Sequence, residues 1–173
     1  MLQTASVQLA TSSLQVTSVA RTDRSLAALH SLIPERQRAM HHMVQLDWSE
    51  QDAFLAGIQS HIESTEPPDL VLAWIHNDKL ALRLASTLGK FQLAFFHVIG
   101  SATSNPARVA SRVSSALQPS ASIQYYQVVL GAAKDGGHVR WLTHAEISAG
   151  VLKAIQSHRP QFVVGALGLD AAE

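Results

Sequence analysis

The feature that most constrains this chain is the alternation of apolar runs with helical stripes. "DLVLAWIH" (69–76), "FQLAFFHVIG" (91–100), "SIQYYQVVLG" (122–131) and "FVVGAL" (162–167) are rich in β-branched and aromatic residues. Near-continuous apolar runs of this length are what strands buried on both faces require. Between the first two, Asn77 caps a helix whose Leu80, Leu84 and Leu88 recur every four residues, and Gly89 ends it. "NPARVASRVSSAL" (105–117) has the favoured order of Asn cap and Pro at the first helical position, with Val109, Val113 and Leu117 on one face. "THAEISAGVLKAI" (143–155) carries a full capping box in Thr143 and Glu146, with Ile147, Val151 and Ile155 turned inward. Strands joined through helices imply crossover connections and a parallel sheet. The expected fold is therefore α/β, a three-layer sandwich with helices on both faces of the sheet. Ligands of such sheets bind outside the carboxyl ends of the strands.

The bulk numbers agree. The 173 residues are one domain's worth of chain, and no linker or repeat divides them, so a single domain over 1–173 is expected. Thirteen basic residues balance thirteen acidic ones without a like-charge run, which gives nucleic acid or an anionic membrane no electrostatic hold. There is no cysteine, hence no disulfide and no thiolate metal site, which fits a reducing, cytoplasmic setting. The apolar runs are far short of the roughly 20 residues that span a bilayer. Residues 1–21 lack acidic groups but hold one arginine, too little basic character for a targeting segment. The nine histidines show no metal-ligand spacing, and His41 and His42 are neighbours on opposite faces of a strand. No metal is expected.

The first residues raise a question of their own. Leu2 to Ser13 reads as a helix and Gln15 to Ala20 as a strand that ends on Arg-Thr-Asp. Further on, Ser49 precedes a helical stripe of Phe54, Leu55, Ile58 and Ile62, with Asp52 as a near capping box. A helix feeding a strand in this way usually follows an earlier element.

"DLVLAWIH", "FFHVIGSA", "YYQVVLG" and above all "RWLTHAEISAGVLKAI" resemble small bacterial Rossmann-fold proteins of the short-chain dehydrogenase type. The resemblance runs over essentially the whole chain. It implies NAD(P) binding and oxidoreductase activity on a small molecule, in a homodimer formed through helices flanking the sheet. In those relatives a strand and a G-G-T-G-M-L turn open the chain, and the "ML" matches Met1-Leu2. The resemblance thus implies that Met1 is internal to the fingerprint and that the first strand and its glycines are absent. No glycine precedes Gly57. An empty central slot would leave backbone hydrogen bonds unmade at about 1–3 kcal/mol each. Three outcomes stay open: the neighbouring strands pair directly, a partner chain fills the gap, or the natural protein begins upstream.

Carried over residue by residue, the resemblance assigns Met1 and Leu2 to the phosphate turn. Arg21 and Thr22, just past the second strand, occupy the position that meets the adenosine ribose. An acidic residue there binds the 2′-hydroxyl of NAD, whereas Arg suits the 2′-phosphate of NADP. Asp47-Trp48 resembles the Asp-hydrophobic pair that holds adenine. His76 and Gly100 end adjacent strands beside the cofactor crevice, and His97, near the end of its strand, reads as a packed, hydrogen-bonded residue. Ser101 resembles the serine that hydrogen-bonds the substrate carbonyl. The Tyr-x-x-x-Lys pair of the family is missing, because Val129 and Leu130 stand four residues after Tyr125 and Tyr126. Both tyrosines read as strand packing. "KDGGHVRW" (134–141) reads as a tight Gly-Gly surface turn, with Trp141 and Trp74 as core or interface anchors. The alternatives to an oxidoreductase are a non-catalytic nucleotide-binding or regulatory protein and a truncated fragment with no ligand.

Overall fold

A computed structural model describes residues 2–100, 107, 111, 115, 122–136 and 138–167. The chain divides into two compact units, Met1–Thr65 and Glu66–Glu173.

The first unit holds α1 (Gln3–Ser12), β1 (Val16–Ala20), α2 (Asp23–Leu32), α3 (Glu35–Arg38), β2 (His41–Gln45) and α4 (Gln51–Glu63). Strands β1 and β2 are parallel, with Val16 opposite His41 and Ala20 opposite Gln45. Among the described residues β1 pairs with β2 alone. Helix α2 starts where Thr22 turns its hydroxyl onto the Ser25 amide at 3.3 Å. It buries Leu26, while Ile33 seals the chain beyond its end. Helix α4 packs close over the sheet, since a Cβ on Gly57 would collide with the Leu46 side chain. The expected Ser49 cap is not used: Glu50 stands at the N-cap without a side-chain hydrogen bond. The Ser49 amide instead donates to Asp47 Oδ1 at 2.9 Å, an Asx-type turn that ties Ser49 to the preceding loop.

The second unit holds β3 (Leu70–Ala73), α5 (Asp78–Thr87), β4 (Leu93–Gly100), β5 (Ile123–Leu130), β6 (Ala132–Asp135), β7 (His138–Trp141), α6 (His144–Ser157) and β8 (Gln161–Val164). Its main sheet runs β3-β4-β5-β8, every pair parallel. Phe95, Phe96, Val98, Val128 and Val129 form the dry centre of that sheet. The α/β class with a parallel sheet flanked by helices is therefore as expected. Residues 107, 111 and 115 are helical and exposed; most of the stripe expected over 105–117 lies outside the described residues.

One expectation fails in this unit and another is narrowed. "KDGGHVRW" is not a bare turn but most of an antiparallel hairpin, β6 on β7, with Ala132 opposite Trp141 and Gly136 at φ +54° in the bend. Trp141 is not a core anchor, being 61% exposed at the hairpin's end. Trp74 is half-buried.

Arg140 of β7 fixes the hairpin to α6. Its guanidinium makes two hydrogen bonds to Glu146, at 2.8 and 2.9 Å, and Glu146 also accepts from the Thr143 amide and hydroxyl. These contacts, the Arg140 hydrogen bonds first, hold the Glu146 carboxyl at about 2. A depressed carboxyl contributes stability that is full above its unfolded value of 4.5 and is lost as pH falls through about 2. Acid titration of unfolding should therefore show a loss across that window that Glu146→Gln flattens. An unchanged slope in the variant would show that the clamp contributes nothing.

Candidate functional site

The carboxyl ends of β1 and β2 bring four of the sequence-predicted residues together. The Leu46 amide donates to the Ala20 carbonyl at 3.0 Å, and Gln45 Nε2 donates to the Arg21 carbonyl at 3.1 Å. This stitching holds residues 20–22 beside residues 45–48. The Arg21 guanidinium carbon lies 5.7 Å from the centre of the Trp48 ring, a cation–π contact. The hydrogen bond from the Ser49 amide, above all, holds the Asp47 carboxyl below its ordinary range, and the Arg21 charge acts in the same direction. Thr22 stands at the N-cap of α2, so Arg21 sits where amide dipoles and a guanidinium both favour an anion.

The other predicted residues fall elsewhere. Leu2 is the N-cap of α1 and makes no side-chain cap. Met1 and Ser101 lie outside the described residues. His76 and Gly100 belong to the second unit. The expected strand 69–76 stops at Ala73, which leaves His76 in the exposed loop beyond β3, its ring 6.0 Å from that of Trp74. Gly100 closes β4 opposite Leu130.

A short polar contact inside the second unit joins His97 of β4 to Tyr125 of β5, Nδ1 to hydroxyl at 2.6 Å. His97 is fully buried, as the sequence reading expects, but its partner was not legible, because Tyr125 read only as packing. Burial lowers the affinity of His97 for a proton, while burial and then the Asp78 charge push the Tyr125 phenol well up. Tyr125 is thus held neutral, with its hydroxyl against His97 Nδ1. The Ile75 backbone acts on the ring as a weak acceptor would, yet no hydrogen bond of good geometry closes on Nε2. A phenol shifted upward is the opposite of an acid activated by a neighbouring lysine. The pair is a part-buried structural bond.

Parallel strands flanked by helices define a Rossmann-like α/β fold. No protein-family model matches the chain, and no curated protein sequence matches it. Solved structures do share its fold. An alcohol dehydrogenase from the archaeon Thermococcus sibiricus, complexed with 5-hydroxy-NADP, superposes with a TM-score of 0.69 at 13% identity, covering 98% of this chain and 93% of that one. A short-chain dehydrogenase from Sphingobium yanoikuyae in complex with NADPH gives 0.70 at 13% identity over 96% and 84%. A short-chain oxidoreductase from Pseudomonas aeruginosa, NADPH-bound and with an atypical catalytic center, gives 0.64 at 12% identity over 98% and 93%.

Proposed function

We propose that this chain is a short-chain dehydrogenase-like NAD(P)-binding protein, a single domain over 1–173, that prefers NADP through Arg21. The observation that carries the reading is the Arg21–Trp48 stack beside the Thr22 helix start. A guanidinium fixed on an indole keeps its edge free for the 2′-phosphate, and the capped helix adds its dipole. Trp48 and Asp47 would border the adenine. In this reading Met1 and Leu2 lie at the pyrophosphate, and His76 and Gly100 border the nicotinamide end. The residues present fit the adenosine end; the glycine cradle that would hold the pyrophosphate has no counterpart in residues 1–56. When bound, the nicotinamide supplies hydride chemistry. Neighbours solved with NADPH or with 5-hydroxy-NADP lend support.

On the oxidoreductase reading, Ser101 hydrogen-bonds the carbonyl of a small-molecule substrate. A second reading, nucleotide binding without turnover, is favoured by one specific observation: Tyr125, bonded to His97 and held neutral, has no lysine four residues on. Both readings take a cytoplasmic homodimer. No helix among the described residues is long and apolar enough to cross a membrane.

Calorimetric titration with NADP+ and NAD+ tests the proposal. Arg21→Ala should weaken NADP+ by about tenfold to a hundredfold, as loss of a charge-assisted bond worth roughly 1.5–3 kcal/mol implies. NAD+ should change by less than about threefold. Equal losses for the two would remove Arg21 from the 2′-phosphate, and absence of binding by either nucleotide would end the reading.

A further inference from the structure

Four histidines meet the two-stranded sheet of the first unit, two on each face. Adjacent strand residues point to opposite sides, so Ser18 and His41 face α2 while Thr17 and His42 face α4. On the α2 side, His30 Nδ1 lies 2.9 Å from His41 Nδ1, and His41 Nε2 lies 2.9 Å from Ser18 Oγ. The two rings stack with centroids 5.2 Å apart. On the α4 side, His61 Nε2 lies 2.8 Å from Thr17 Oγ1, and the rings of His61 and His42 are 6.0 Å apart.

A bond between two imidazole Nδ1 atoms exists only while one of them is bare. With both rings protonated, each Nδ1 carries a hydrogen, the bond is lost and two cations face each other in a stack. A charged His61 donates to Thr17 Oγ1, so that contact persists, and what opposes closure on this face is the repulsion between the His61 and His42 rings, 6.0 Å apart. We propose that these contacts form a pH-sensitive latch, closed at neutral pH, that fastens α2 and α4 to the two faces of the β1–β2 sheet. Its release on mild acidification loosens the strand ends that carry Arg21, Thr22, Asp47 and Trp48. This last step rests on the nucleotide reading above; the latch itself does not.

The surrounding charges do not offset the repulsion. Helix α1, which also packs against α2 and β1, has no titratable side chain, and neither has β1. Helix α2 adds Asp23 and Arg24 at its far end. Of Glu35, Arg36 and Arg38 in α3, Arg38 reaches the chain after His30, donating to the carbonyls of Ser31 and Ile33. On α4 are Asp52 and Glu63, the latter hydrogen-bonded to Gln59. Burial first, and then the facing histidines, hold His41 and His61 below the ordinary imidazole value of 6.5. For a base held down in the folded state, stability is full above 6.5 and is lost as pH falls below it.

The test uses the full chain and the double variant His30→Asn, His61→Gln. Asn places an amide where Nδ1 stood and Gln one where Nε2 stood, so each contact survives without a second imidazolium facing His41 or His42. Backbone amide exchange of residues 23–32 and 51–63, corrected for intrinsic rates, is compared at about pH 7.5 and about pH 5.5. Wild type should lose about tenfold in protection and the variant less than about twofold. Equal losses in both, or none in wild type, overturn the latch. In wild type alone, the His41 and His61 ring signals and the α2 and α4 amide signals should titrate with one midpoint below 6.5; separate midpoints overturn it without any variant. NADP+ titration at the same two pH values tests the coupling, with acid weakening binding in wild type more than in the variant. Protection lost in acid with no NADP+ binding at either pH leaves the latch standing and refutes the nucleotide reading.

Discussion

Replacing Gly131 with alanine lowers the unfolding free energy of the second unit by roughly 3 kcal/mol or more. The residue follows β5 at the point where the hairpin leaves the main sheet. A Cβ there would run into the Ala166 carbonyl oxygen and come within 2.7 Å of its carbon. Backbone cannot swing aside as a flexible side chain can. Ala166 is itself pinned, because its amide donates to the Ala132 carbonyl at 2.8 Å and its carbonyl accepts from the Ala132 amide at 2.9 Å. Moving it would break both bonds and strain the Gly131 amide bond to Val164, also 2.9 Å. Gly136 provides the contrast. It lies at φ +54° with open space around the added carbon, so Gly136→Ala meets only the left-handed backbone cost of about 1–2 kcal/mol. Urea midpoints for the two variants measure the difference. Equal shifts would mean that the β5–β8 junction gives way freely, and the description of a tight seam would be wrong.

That seam was invisible in the sequence, and the reason is physical. Apolar periodicity reports which face of an element is buried, so the four strands of the second unit's main sheet and the Thr143–Glu146 capping box could be read directly. It does not report contacts between residues distant in the chain. "KDGGHVRW" was therefore legible as a turn from its glycines, while its pairing as β6 on β7 depends on Arg140 finding Glu146 and on Ala132 finding Ala166. The alternation of charge in "AAKD" and "HVRW" is too short to declare a strand. Of the two roles expected for Trp141, core or interface anchor, its exposure at the hairpin's end removes the first.

The candidate site divides along the same line. Arg21, Thr22, Asp47 and Trp48 were legible because each follows a strand end, and parallel strands deliver their carboxyl ends to one side. The contact of Arg21 with Trp48 was not, since nothing in sequence tells which partner a long side chain will choose. The histidine pairs were hidden more deeply. His41-His42 read only as a dipeptide on two faces of a strand, and His30 and His61 belong to helices whose registry on that strand is a tertiary fact. What the fold adds to a list of nine histidines is the placement of four of them at one small sheet, two on its strand and two on the helices against it.

Phe96→Ala should be the most damaging single truncation in the second unit, costing about 3–5 kcal/mol. Phe96 sits in β4 opposite Tyr126 of β5 and Leu72 of β3, with no exposed surface. Its ring stacks on that of Tyr126 with centroids 4.6 Å apart and planes 13° from parallel. The His158 ring, at the left-handed end of α6, meets both aromatic rings edge-on at 6.1 and 5.6 Å. Removing Phe96 therefore leaves a cavity walled by two aromatic rings on a sheet whose strands are bonded on both sides, so collapse into the hole is hindered. The direct interaction between the rings can be separated from the cavity by a double-mutant cycle with Tyr126→Leu. A coupling of about 0.5–1.5 kcal/mol is expected for a stacked pair. Denaturant unfolding of the three variants supplies the numbers. A loss below about 1 kcal/mol for Phe96→Ala would mean that β4 is not held between β3 and β5 as a buried strand, and the parallel order β3-β4-β5-β8 would have to be abandoned with it.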